Sequence, residues 1–183
     1  GDIKEAKKKL EQGTAISRKL GDERSIHIKD FELAKFLMFE DNYTDAIKSI
    51  KPAIKYFTTI NDTIFLIQSL IRLSKLERLN NNIDSALSHL NKAITLTSKI
   101  NHMEFEKQAN IEISICKIDQ DDNLNSLLQD IDKQSDETKA YIYFNIHKHL
   151  GQDDAKSKAK ILYSKLYEKI NRFEYQYYLN LLK

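Results

Sequence analysis

The chain has 183 residues, with 29 Lys and Arg against 27 Asp and Glu, a formal net charge of +2. It holds four Gly, one Pro (Pro52), one Cys (Cys116), no Trp and no Val. So few backbone breakers predict an almost wholly helical protein and exclude a β-sandwich, which needs many more turn residues.

The charge signs are interspersed, which argues against a nucleic-acid-binding domain with its basic face. The densest basic run, Lys4 to Lys9, reads as a solvated helix face. No segment approaches the roughly 18 consecutive apolar residues of a membrane span, and no signal peptide is visible. Cytoplasmic localisation, without nucleic acid or membrane as partner, is the expectation. Cys116, alone in the apolar run ISICKI, reads as a buried thiol.

Taken in chain order, the first predicted helix covers residues 1–20 and places Ala6, Leu10, Gly13, Thr14, Ser17 and Leu20 on one face. A second, from Ser25 to Glu40, holds Leu33, Ala34 and Leu37. A third follows from Asn42, and its face is Ala46, Ile50, Ala53, Ile54, Phe57 and Ile60, the first face displaced by forty residues. Pro52 is expected to kink or locally open this helix. Forty residues further on the face recurs as Ala86, Leu90, Ala93, Ile94, Thr97 and Ile100. Each of these faces ends in a polar connector with Gly21, Asn61 or Asn101 just past the helix, where a left-handed residue is favoured. Between them lies the second set, in which Leu73 and Ser74, then Ile113 and Ser114, stand where Leu33 and Ala34 stood.

The unit is a helical hairpin of two helices, A then B, each of about 15–19 residues and so about 23–28 Å long. One run objects: Asn110 to Ile118 alternates like a strand as far as Ile115. The period places it in an A helix, and Ile111, Ile115 and Ile118 fit helical spacing. After Ile118 the pattern decays. Leu124, Leu127, Leu128 and Ile131 offer a shifted face; helices are predicted at Glu137–Leu150 and Asp153–Ile170, the latter with Ala155, Ala159, Leu162, Leu166 and Ile170 on one face.

These residues resemble the tetratricopeptide repeat. That family's helix B carries small–large–small residues at the spacing of Ala46, Ile50 and Ala53, preceded by a turn residue and an apolar or aromatic one. Here those are Asp41 and Tyr43, Asn81 and Ile83, and Gly1 and Ile3. The period of forty is similar to a longer-helix variant in bacterial regulatory proteins. The family's helix A aromatic is missing, Leu37, Glu77 and Lys117 occupy its helix-end aromatic position, and its proline after helix B is absent.

The resemblance implies an all-α fold: a right-handed superhelix, or α-solenoid, of antiparallel helix pairs. Residues 1–20 would be helix B of a truncated repeat, 22–60, 62–100 and 102–134 full repeats, and 136–183 a degenerate repeat with a capping helix. Gly1 falls on the turn between helices A and B, so a piece of a longer protein is expected.

Chemistry finds little footing. Asp119, Asp121, Asn123 and Asp130 resemble a calcium loop, but Leu124 stands where the sharp turn needs Gly. His147 and His149, two apart on a helix, diverge by about 200° and cannot share a metal. No phosphate loop, dinucleotide fingerprint or nucleophile–base pair appears. No enzyme, cofactor or metal is expected.

By analogy with the family, the A helices line a concave groove. Its positions are Ile28, Phe31, Lys35 and Met38, then Gln68, Ile71, Lys75 and Arg78 with Arg72 nearby, then Gln108, Ile111, Ile115 and Ile118. Such a groove, apolar and basic, suits an extended or helical peptide with acidic groups. The alternative is that the charges are merely solvated and the apolar residues are core. The tail, with Phe173, Tyr175, Tyr177, Tyr178, Leu181 and Leu182, either caps the last hairpin or binds a partner. The leading expectation is a protein-interaction scaffold within a larger regulatory protein, binding a protein or peptide. Alternatives are a peptide-sensing domain controlling an attached output domain and, more weakly, a hidden enzyme or metal site. Homodimerisation through exposed repeat ends is a further expectation.

Overall fold

The computed structural model describes residues 3–118 and 121–183, with the backbone alone for 121 and 122. Among the described residues there are ten α-helices, one 3-10 turn and no strand. The first six helices are α1 (Ile3–Leu20), α2 (Glu23–Phe39), α3 (Tyr43–Thr59), α4 (Thr63–Leu79), α5 (Ile83–Ile100) and α6 (Met103–Cys116). Then come α7 (Asp121–Gln129), the 3-10 turn Ile131–Lys133, α8 (Asp136–Leu150), α9 (Asp153–Lys169) and α10 (Phe173–Leu181). The chain divides into two compact units, one ending at Glu112 and one running from Ile113 to Lys183. The alternating run that mimicked a strand is helical as far as Cys116.

The first five turns are one device used repeatedly. Gly21, Asp41, Asn61, Asn81 and Asn101, spaced by twenty residues, have φ of 66°, 55°, 55°, 63° and 51°. Only Gly enters this left-handed region without penalty, and Asn and Asp tolerate it best among the rest. Each donates its N–H to the carbonyl three residues back, as Asn61 does to Thr58 at 3.3 Å. The following residue reaches five back: Asp22 to Ser17, Asn42 to Leu37, Asp62 to Phe57, Asn82 to Glu77 and His102 to Thr97, all at 2.8–3.1 Å. These paired bonds satisfy the last carbonyls of the outgoing helix. That same residue then caps the next helix. Asp22 accepts from the Ser25 amide, Asn42 from Asp45, Asp62 from Phe65, and His102 through Nδ1 from Phe105. Asn82 differs, its Nδ2 donating to Glu77 Oε2 at 2.9 Å.

Because turns and helices recur at fixed length, equivalent side chains meet the core. Ala46, Ile50, Ala53 and Phe57 are wholly buried, and so are Ala86, Leu90, Ala93 and Thr97. The predicted last position of this face is corrected. Leu20, Ile60 and Ile100 are exposed, at 77%, 43% and 37%, each immediately before the left-handed residue at which the chain leaves the face. On α1 the rest of the same face is half-buried apart from buried Ser17. The reason is neighbours: α1 packs on α2, whereas α3 packs on both α2 and α4. Gly13 leaves room for the Lys29 chain, whose Nζ donates to Ser17 Oγ at 2.7 Å.

α4 packs on α3 and α5 and touches α2, so it is buried on several sides. Rings tie the three together. Phe57 of α3 stacks on Phe65 of α4 at 4.9 Å, and Phe31 of α2 meets Phe65 edge-on at 6.3 Å. Each such pair contributes about 0.5–1.5 kcal/mol beyond burial.

In the second unit α9 packs on α8 and on α10. Gly151, at φ 67°, ends α8. The face of α9 is Ala155, Ala159 and Tyr163, four residues apart; Leu162 and Leu166 are only half-buried and Ile170 lies exposed past the helix, which corrects the predicted face. Of the shifted face predicted near α7, Leu127 and Ile131 are buried and Leu128 is exposed. The aromatic tail packs inward: Tyr178 stacks on Tyr163 and meets Phe144, both at 4.8 Å, with Tyr175 and Leu182 buried beside it. Among the described residues no helix is long and apolar enough to cross a membrane.

α3 remains helical from Tyr43 to Thr59 with Pro52 inside it, so the expected opening does not break the helix. Pro52 and Lys48 are both exposed, which leaves the Lys48 carbonyl, deprived of its N–H partner, on the solvent side. Proline in a helix interior is about 3 kcal/mol less favourable than alanine, partly offset by its stiffening of the unfolded chain. Pro52→Ala is therefore expected to stabilise the chain by about 1–3 kcal/mol, read as a higher urea midpoint of the helical signal; no change would show that the helix has already relaxed around the ring.

Candidate functional site

The helices α2, α4 and the part of α6 before Ile113 carry the residues expected to line a groove. Their exposures divide them. Phe31, Met38 and Arg78 are buried, at 6%, 7% and 5%, and act on any ligand only through what they support. Ile28, Lys35, Gln68, Ile71, Arg72, Lys75 and Ile111 are half-buried, and Gln108 is exposed, its Nε2 donating to Glu104 Oε1 at 3.3 Å. Ile115 and Ile118 are buried in the second unit.

The cations are held by the repeat geometry. Helical spacing places Arg72, Lys75 and Arg78 along one side of α4. The Arg72 guanidinium lies 3.4 Å from the centre of the Phe31 ring, its Nη1 donates to the Phe31 carbonyl at 2.6 Å, and Glu32 Oε1 stands 3.5 Å away. Cation, ring and carbonyl fix the guanidinium between α2 and α4. A second link between the same helices comes from Arg24, which pairs with Asp62 at 3.0 Å and lies 5.0 Å from the Phe65 ring centre. Arg78 pairs with Glu112 of α6 at 3.3 Å, with both side chains buried.

The electrostatics of Lys75 follow from these neighbours. Burial is the largest influence and lowers its ammonium from 10.5 to about 8. Glu112 opposes that shift, while Arg78, Arg72 and Lys35 add to it. Burial also lowers Arg72, to about 10, against the pull of Glu32. Both groups remain charged at neutral pH. The cluster thus holds four cations, Lys35, Arg72, Lys75 and Arg78, around two carboxylates, Glu32 and Glu112.

Sequence reasoning reached the cations but missed their carboxylates. The signal was present: Glu32, Arg72 and Glu112 are forty residues apart and occupy one repeat position, acid, base, acid. Among the described residues no group of three or more His, Cys, Asp or Glu could hold a metal ion. The calcium-loop reading rests on Asp119 and on the side chain of Asp121, which lie outside the described residues. His147 is half-buried and His149 exposed on α8. No protein-family model matches the chain, and no curated protein matches it either.

The pH dependence of stability has a definite sign. Below about 8 Lys75 is protonated in both folded and unfolded chains, and the full burial cost is present. Between about 8 and 10.5 the unfolded chain holds the extra proton, so the folded state gains as pH rises. Lys75→Met should therefore stabilise the chain by about 1–3 kcal/mol at neutral pH, with the difference shrinking as pH climbs from 8 towards 10.5. Urea unfolding across that range checks it; a destabilised variant, or a pH-independent difference, would contradict the assignment.

Proposed function

We propose that this chain is a tetratricopeptide-like interaction module of a cytoplasmic regulatory protein. Its helix pairs stack antiparallel into a right-handed solenoid, and the face of α2, α4 and α6 receives a protein or peptide segment. The observation that carries the reading is the direct contact of α2 with α4 through Arg72, Phe31, Arg24 and Asp62. Alternate helices in contact make a continuous face out of separate hairpins, and that is how stacked repeats form an extended binding surface. The recurrence of the connectors every twenty residues and of the buried small residues every forty supports the repeat itself. A helical face with half-buried apolar residues beside cations suits recognition of an extended segment.

Selection from a randomised displayed peptide library tests this. The native chain is expected to enrich a family of related sequences. Lys35→Glu combined with Lys75→Glu is expected to lose that family, while Lys55→Glu with Lys92→Glu, exposed positions on α3 and α5, retains it. No enrichment, or the same family from all three proteins, would overturn the proposal.

A further inference from the structure

We propose that the edge formed by the connectors between α1 and α2, α3 and α4, and α5 and α6 docks an amphipathic helix of a partner protein. Apolar residues of that helix, seven apart, rest on Leu20, Ile60 and Ile100, and acids along one flank face Arg18, Lys19 and Lys99. The edge uses none of the residues assigned above to the face of α2, α4 and α6. Leu20, Ile60 and Ile100 each stand immediately before a left-handed residue and are exposed, and the start of the next helix adds exposed Ile64 and Met103, at 39% and 71%. Turn geometry does not ask for apolar residues there. Ile60 has φ −88° and ψ 3°. Glu40 and Asn80, in the same place before left-handed Asp41 and Asn81, have −96° and 11°, and −90° and 14°. The connectors at the other ends of these helices thus carry polar residues on the same backbone. Exposed apolar side chains confined to one edge and repeated every forty residues mark an interaction surface.

The connectors neighbour one another. Arg24, just past Leu20, pairs with Asp62, just past Ile60, at 3.0 Å, and Phe105 at the start of α6 packs on the core cluster that includes Leu66 of α4. Helices in contact stand about 8–10 Å apart, so the row advances by roughly that distance per repeat. An α-helix advances about 10.5 Å in seven residues and returns to almost the same face, which matches the row. An extended segment covers the distance in about three residues, and successive contacts would fall on opposite faces. Charge narrows the partner further. Arg18, Lys19 and Lys99, in the last turns of α1 and α5, are exposed and form no ion pair among the described residues. The acids of the edge are engaged: Asp22 and Asp62 cap the next helices, Glu23 stands 3.7 Å from His27, and Glu104 accepts from Gln108. The charge left for a partner is positive, and a second copy of the chain would bring only these engaged acids. Glu23 and Glu104 lie in the first turns of α2 and α6, across the row from the cations. A flat anionic lipid surface spanning the edge would meet them, whereas a helix about 10–12 Å across keeps its acids on the cation side.

The test pans the full chain against a displayed library of helix-forming peptides, three heptads long and randomised on one face, and measures the enriched peptides by fluorescence anisotropy. The enriched family is expected to carry apolar residues at seven-residue intervals with Asp or Glu along one flank. Leu20→Ser, Ile60→Ser and Ile100→Ser together should weaken binding by about ten-fold or more. Arg18→Glu, Lys19→Glu and Lys99→Glu together should weaken it similarly; this variant removes no apolar contact, so it reads the edge even if the Ser variant folds poorly. Lys35→Glu with Lys75→Glu should leave binding unchanged, as should Ile161→Ser with Leu181→Ser, exposed positions on α9 and α10. No enrichment, or a family that the native chain and both edge variants bind equally, would overturn the inference. Loss of the family with Lys35→Glu and Lys75→Glu alone would also overturn it, while supporting the face of α2, α4 and α6. A dimer in light scattering that the Ser variant lacks would assign the edge to a second copy instead. Sedimentation with phosphatidylserine vesicles that the Ser variant lacks would assign it to lipid, and either result overturns the proposal.

Discussion

Everything in the N-terminal unit depends on a backbone residue being left-handed every twenty positions. The helix before each turn must end where its last carbonyls can bond to the turn, and the helix after it must begin at the cap that the next residue supplies. Helices α1 to α5 are consequently 17 or 18 residues long. Fixed length fixes phase, and phase decides which side chains face the core. That is why Ala46, Ile50, Ala53 and Phe57 have buried counterparts at Ala86, Leu90, Ala93 and Thr97 although only the two alanines are shared. Thr97 shows how far identity can drift: its hydroxyl is buried where Phe57 stood and donates to the Ile94 carbonyl at 2.8 Å.

The same phase gathers charge. Arg72 meets Glu32 across α2 and α4, and Arg78 meets Glu112 across α4 and α6, because these helices are successive copies in which positions 32, 72 and 112, and likewise 35 and 75, correspond. Arg78 and Glu112 form a buried pair, and apolar replacements of such pairs are often neutral or stabilising. Burial lowers the Lys75 ammonium against the attraction of Glu112, and Arg78, Arg72 and Lys35 add to that lowering.

Much of the fold was legible in the sequence because small residues at forty-residue intervals constrain packing more tightly than large ones do. Ala46, Ala53, Ala86 and Ala93 identified the buried face, and Asn61 and Asn101 identified two of its ends. The helical nature of Asn110 to Cys116 also followed from the period, against the local strand signal. What was not legible depended on neighbours. Periodicity says which way a residue points but not whether anything lies there, so Leu20 was expected in a core that α1 does not complete. On α9 the volume and stacking of Tyr163 against Tyr178 prevailed over the aliphatic stripe of Leu162 and Leu166. At the candidate site the cations were found by their register, whereas the burial of Phe31, Met38 and Arg78 depends on how closely consecutive helices approach.

The claim that left-handed turns set this array is tested most directly by replacing Asn61, Asn81 and Asn101 together, once by Gly and once by Ala, and measuring urea unfolding of both variants. Alanine is chemically as small and as strong a helix former as any residue, but it carries a Cβ into the left-handed region at a cost of roughly 1–2 kcal/mol per site. The triple Gly variant is therefore expected to unfold at a higher urea concentration than the native chain, and the triple Ala variant at a markedly lower one. An Ala variant as stable as the Gly variant would mean that these three residues do not hold the turns, and that the repeat is set by the core instead.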